Sequence, residues 1–208
     1  MNYEILYAFV MATAALAVAP GPDNIYVLMQ SITYGKKFGI ATVAGLISGC
    51  LIHTTLLAFG VSAIIKESDS IFFAIKLLGA LYLFFLAYKV FKSTPEIQLG
   101  ESHIPKKGML QLFKKGFIMN VLNPKVTIFF LAFFPGFLFS KNLSTVIQFY
   151  VLGLLFMFVS FIIFGLIALL SGAISNYITK HSGVGQFLKW LQIIVFIGIG
   201  VYILFSDK

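Results

Sequence analysis

The chain has 208 residues, 60% of them hydrophobic and only 11% charged, with a mean hydropathy of +0.99. That balance excludes an ordinary soluble globular domain and fits a single membrane-embedded bundle, with no room for a separate soluble domain. The net charge of +8 comes from lysine alone, and those lysines lie between apolar runs, which points to membrane topology rather than to nucleic-acid binding.

A membrane span needs about 20 apolar residues, and six stretches meet that condition. The first, from Ile5 to Tyr34, is overlong and interrupted by Pro20-Gly21-Pro22-Asp23-Asn24. Pro22 has no N–H and its ring clashes with the carbonyl four residues back, so a helix entering from Ile5 must break here. Gly21 adds backbone freedom at the break, and Asp23 carries a charge that costs about 2.5–3.5 kcal/mol in an apolar span on insertion scales. The residues before Ile5 lack a basic region and a small-residue cleavage site, so this segment is expected to stay as the first span.

The second span runs from Gly39 to Ile65 and contains Gly45-x-x-x-Gly49, a spacing that lets helices approach closely. It also carries His53, for which hydrogen-bonded packing is the plainer reading and a proton relay the sharper one. Cys50 has no second cysteine in the chain, so neither a disulfide nor a thiol-based metal cluster is available. The third span, Ile71 to Phe91, includes Gly79 as a packing position and Lys76 near one end, where its long stem can snorkel to the interface. A polar stretch, 92–115, with Pro95, Gly100, Pro105 and Gly108, reads as a linker.

The fourth span, Gly116 to Phe139, is interrupted in turn by Asn123-Pro124-Lys125. The fifth runs from Val146 to Leu170 and the sixth from Phe187 to Phe205, with Gly198 and Gly200 as further packing positions. The phenylalanines, Phe129-Phe130 and Phe133-Phe134 among them, read as lipid-facing or core bulk.

Lysine counting gives the orientation. Lys36, Lys37, Lys89, Lys92, Lys106, Lys107, Lys114, Lys115, Lys180 and Lys189 fall on one side, against Lys66, Lys141 and Lys208 on the other. The richer side is expected in the cytoplasm, with both termini outside. Spans one to three (residues 1–91) and four to six (116–208) then form two groups entering from opposite sides, each beginning with a broken helix. Inverted repeats with interrupted helices at matching positions mark a transporter's binding site. The fold expected is an all-α polytopic bundle of two inverted three-helix repeats, with helices 1 and 4 discontinuous.

The residue after the break proline is acidic in one half, Asp23, and basic in the other, Lys125. Each charge should face a water-filled cavity or a partner. Either they form a structural ion pair, or they bracket a cavity that takes the ammonium and carboxylate of a zwitterion; desolvation makes a buried pair weak grounds for stability. Asn24, Asn120 and Asn123 can satisfy backbone groups freed by the breaks, or face a solute. Asp23 is the expected proton-linked group and Lys125 its anion-binding or state-locking counterpart.

Pro20-Gly21-Pro22-Asp23, then Gly35, Gly39 and Gly45-x-x-x-Gly49, resemble the N-terminal signature of the LysE/RhtB family of bacterial amino-acid exporters. Phe117 through Asn120-x-x-Asn123-Pro124-Lys125 to Phe129-Phe130 and Pro135 resembles that family's fourth-span motif, and the run from Lys76 to Leu83 resembles its third span. One departure is Gly136, where members often have glutamine. The resemblance spans the chain and implies export of an amino acid or close derivative across the bacterial cytoplasmic membrane, driven by the proton motive force, with neither cofactor nor metal. A homo-oligomer is compatible with it.

Three rival readings are weaker. A cation or metal exporter would want several intramembrane carboxylates, and Asp23 stands alone. A membrane-embedded enzyme would want clustered histidine and carboxylate ligands or an activated nucleophile. A scaffold subunit with no solute path is separated from a transporter by the water access of a cysteine placed at position 23 or 125.

Overall fold

In the computed structural model, residues 2–19, 21–63, 69–94, 108–181 and 183–205 are described. Pro20, the far end of the second span, residues 95–107 of the linker and the last three residues lie outside them. The described residues are all-α, with no strand. In chain order they form α1 (Tyr3–Val18), α2 (Pro22–Tyr34), α3 (Lys36–Leu56), α4 (Asp69–Lys92), α5 (Met109–Val121), α6 (Pro124–Phe133), α7 (Thr145–Leu169), α8 (Ser171–Lys180) and α9 (Gly183–Phe205). A π turn at Leu57–Val61 extends α3, and a 3₁₀ turn at Phe134–Phe137 extends α6.

Among the described residues, Lys36–Val61, Ser70–Lys92, Thr145–Leu169 and Gly183–Phe205 are each long and apolar enough to cross a membrane. Two further pairs pass the same test jointly, α1 with α2 bent by 60° and α5 with α6 bent by 53°, for up to 6 crossings. This is a polytopic helical bundle.

Lipid gives helices no hydrophobic reason to associate, so close packing and small residues decide which faces meet. Gly45 on α3 lies so near the Phe113 carbonyl of α5 that a Cβ would collide with it, and Gly116 on α5 lies equally near the Thr42 carbonyl of α3. Gly49, one turn on, leaves room for the Asn120 side chain. The Gly-x-x-x-Gly motif therefore serves a reciprocal backbone crossing, and its partner helix begins at Met109, inside the stretch read as linker. Gly79 meets Ala132 of α6, and Gly200 of α9 meets the Phe84 ring of α4; a Cβ at Gly198 would meet nothing within 4 Å among the described residues. Between α2 and α3 the chain turns at Gly35, whose φ of 102° disfavours a side chain.

The paired phenylalanines of α6 belong to the core, not the lipid face. Phe129, Phe130, Phe133 and Phe134 are buried, with Phe129 stacked on Phe133 at 4.4 Å and Phe130 on Phe134 at 4.2 Å. Phe9 of α1 closes on the same cluster. Lys76 is 9% exposed, and its Nζ lies 5.8 Å from the ring centroid of Phe72, one turn nearer the start of α4. The short helix α8, with Ile174 and Ile178 turned toward α2, was not anticipated, because ten residues are too few for a span and the run is polar.

Candidate functional site

Both breaks have the same local cause. A residue before proline is pushed out of the α region, and Ala19 (ψ 119°), Gly21 (φ −148°, ψ 175°) and Asn123 (φ −78°, ψ 106°) each precede one and are each extended. Gly21's conformation is open to any residue, so the prolines break the helix and glycine's freedom is not what permits it. Pro22 and Pro124 then start α2 and α6, where a missing N–H costs nothing.

The two new helices start at one shared cavity. Asp23, Asn24, Asn120, Asn123 and Lys125 all line a cavity of about 50 Å³. At about 10–15 Å³ for each water position, that is room for a few waters. Its apolar wall includes Ile47, Phe129, Phe156 and Phe164. Gly21 and Pro22 lie on its edge, with the Lys125 Nζ 3.5 Å from where a Gly21 Cβ would stand.

Asn123 joins the two halves. Its Oδ1 accepts from the Lys125 N–H at 3.0 Å, capping α6, and its Nδ2 donates to Asp23 Oδ2 at 3.2 Å. Asp23 and Lys125 form no direct ion pair among the described residues; the Lys125 ammonium lies 4.8 Å from the Phe196 ring centroid. Asn24 bridges the first break, its Nδ2 donating at 2.7 Å to the carbonyl of Ala17 in the last turn of α1. Asn120 donates from Nδ2 to Cys50 Sγ at 3.5 Å, while its buried Oδ1 has no partner among the described residues. His53 is buried, with Nε2 at 3.1 Å from the Asn120 carbonyl, so it carries its proton on Nε2 and braces the end of α5. That is the packing arrangement.

The electrostatics of the two helix starts differ. A helix N-terminus carries a partial positive charge from its free N–H groups. Asp23, in the first turn of α2, is stabilised by that end; Lys125, in the first turn of α6, adds a full charge to it. The α6 start is therefore suited to an anion, and the Asp23 carboxylate, acceptor-only when ionised, is suited to an ammonium. One small zwitterion could meet both.

The family model for LysE type translocators matches residues 14–207. The chain belongs to that family. Among its relatives is a leucine efflux protein of Klebsiella pneumoniae, 24% identical over 198 residues, covering 95% of this chain and 92% of the relative. A homoserine/homoserine lactone efflux protein of Salmonella typhimurium is 29% identical over 154 residues, 74% of this chain and 73% of the relative. No solved structure matches the chain.

This LysE type translocator also places at the cavity Cys50, read from the sequence only as an unpaired thiol, and Ser160, which the sequence reading passed over. Cysteine in an apolar run reads as a small core residue. Ser160 did leave a signal, as the lone serine of a 25-residue apolar helix.

Proposed function

We propose that this translocator exports an amino acid or close derivative from the cytoplasm, by alternating access between two inverted three-helix repeats in a bacterial cytoplasmic membrane. The observation that carries this reading is the one cavity into which two half-helices start, one presenting Asp23 and the other Lys125, with the Asn123 side chain capping the second helix start and donating to Asp23. Asp23 takes the ammonium and Lys125, with the α6 N-terminus, takes the carboxylate. The names of the efflux relatives support the substrate class, and make a neutral amino acid such as leucine or homoserine the first to assay.

The cavity, about 50 Å³, is far below the roughly 300–1,000 Å³ typical of ligand pockets. In this scheme the helices part to load a solute larger than a few waters. Asp23 is the proton-linked group in this scheme. A proton from outside and an ammonium from inside compete for the same carboxylate, so each biases the bundle toward a different state.

The test uses purified protein in lipid vesicles under an imposed pH gradient, with labelled leucine and homoserine. Wild type is expected to move one of them with the gradient, and Asp23→Asn to lose that coupling. Gradient-driven transport by Asp23→Asn at the wild-type rate would refute the proton role.

A further inference from the structure

Below Asp23, the inward face of α2 continues with Tyr26 and Gln30, spaced three and four residues apart and so on one helix face. Gln30 is completely buried, yet neither its Oε1 nor its Nε2 has a partner among the described residues, and the buried Tyr26 hydroxyl likewise has none. An orphaned buried amide is costly, and native structures rarely keep one without a reason.

The unpartnered Asn120 Oδ1 belongs to the cavity already described, and the unpartnered hydroxyls have a local remedy that Tyr26 and Gln30 lack. Thr13, Ser62 and Ser160 each have an unpartnered hydroxyl, but a helical serine or threonine can turn that group onto its own i−4 carbonyl. Ser31, Thr42, Ser48 and Thr54 do this, at 2.7, 3.0, 2.7 and 2.9 Å. A glutamine amide or a tyrosine hydroxyl stands too far from its own turn for that. Their partners must come from elsewhere.

The surroundings suggest from where. Lys115, exposed midway along the same helix that carries Asn120, holds its Nζ 4.8 Å from the Tyr26 ring centroid, so a charged group from the lysine-rich side already stands against this face. Beside the face, Val27, Val43, Leu46 and Ala168 pack as an apolar cluster separate from the main core. That cluster holds α2 through Val27 and, being apolar, offers the two side chains no hydrogen-bond partner.

We propose that Tyr26 and Gln30 line the route between the cavity and the lysine-rich end of α2, and that Gln30 hydrogen-bonds the solute as it passes. The inference rests on the amino-acid export reading. Its chemistry suits a zwitterion, because the glutamine amide accepts from an ammonium through Oε1 and donates to a carboxylate through Nε2. The face opens when α2 moves away from the α3–α5 pair.

Two measurements test this. The first replaces Gln30 by cysteine and treats intact vesicles with a membrane-impermeant thiol reagent. Cys50→Ser, which removes the native thiol at the cavity, is the background and the blank, and Val27→Cys on it is a control equally buried one turn away. Gln30→Cys is expected to react about tenfold faster than Val27→Cys, the factor by which a water-lined site should exceed a packed one if opening costs little more than one hydrogen bond. Labelling as slow as the control overturns the proposal, whether or not the protein transports.

The second measurement is Gln30→Leu. Removing an orphaned amide should leave melting in detergent unchanged or raised, while amino-acid flux falls about tenfold, the loss of one hydrogen bond to a charged group. Full flux through a folded Gln30→Leu protein also overturns the proposal. If Gln30→Cys labels fast but wild type moves no amino acid, the route stands and the substrate reading fails.

Discussion

Gly116→Ala separates packing from helix propensity, because the two predict opposite signs. Alanine is the better helix former by about 0.8–1.0 kcal/mol, so propensity alone makes the substitution stabilising. The geometry at the α3–α5 crossing says otherwise. A Cβ on Gly116 would stand 2.5 Å from the Thr42 carbonyl oxygen and 3.1 Å from the Leu46 nitrogen, both backbone atoms of α3. Side-chain rotation cannot relieve such a contact, so the helices must part by roughly 1 Å to restore ordinary van der Waals separation. Overpacking of a tight core costs about 1–3 kcal/mol, and a backbone clash belongs at the upper end. Net of propensity, Gly116→Ala should lose about 2 kcal/mol, or roughly 4–8 °C in melting temperature for a chain of this size. Gly198→Ala on α9 is the matched control. Nothing lies within 4 Å of its Cβ position, so it should gain up to about 1 kcal/mol from propensity. Melting of both variants in detergent, followed by size-exclusion chromatography of heated samples, gives the answer. A Gly116→Ala protein as stable as wild type would refute the crossing as described.

Two other substitutions probe single-residue roles. Asn123→Ala removes the α6 cap and the bond to Asp23, at a cost of about 1 kcal/mol for the cap and about 1.5–3 kcal/mol for a bond to a charged group; its melting temperature should fall, and a melt within 2 °C of wild type, roughly the shift for a bare 1 kcal/mol or less, would sink that account. Gln148→Leu strips the loop before α7 of its organiser, because Gln148 Oε1 accepts from the Phe139 and Ser140 N–H groups and its Nε2 donates to the Ser140 and Leu143 carbonyls, at 2.8–2.9 Å. At about 1 kcal/mol net for each bond, the loss should be several kcal/mol and should expose residues 139–143 to protease. Unchanged resistance would show that the loop holds by other means.

Much of the fold and the candidate site was legible in the chain, because in a membrane the covalent sequence itself carries the strongest constraints. Each span must satisfy its own backbone, so apolar runs read directly as helices. Proline acts through its own ring and missing N–H, so Pro22 and Pro124 announced helix starts without reference to anything distant. Asp23, Lys125 and the three asparagines stood out because polar groups at that depth are rare. Each of these signals is local.

The remainder depended on which surfaces meet, a non-local matter that propensity cannot express. Gly45 and Gly116 are 71 positions apart and identify each other only when α3 and α5 cross. Whether Asp23 and Lys125 touch was equally undecided, and in the structure the Asp23 carboxylate accepts from Asn123 instead of pairing with the Lys125 ammonium. Cys50 and Ser160 reach the cavity by the rotation of their helices, and the Phe129–Phe134 run turned inward for the same reason. The sequence by itself determined an all-helical membrane chain with two proline breaks and one opposed pair of charges, since those follow from backbone chemistry residue by residue. Only the tertiary structure decided that both breaks start helices into the same small cavity, because that requires the facing of each helix, and facing is set by packing between segments far apart in the chain.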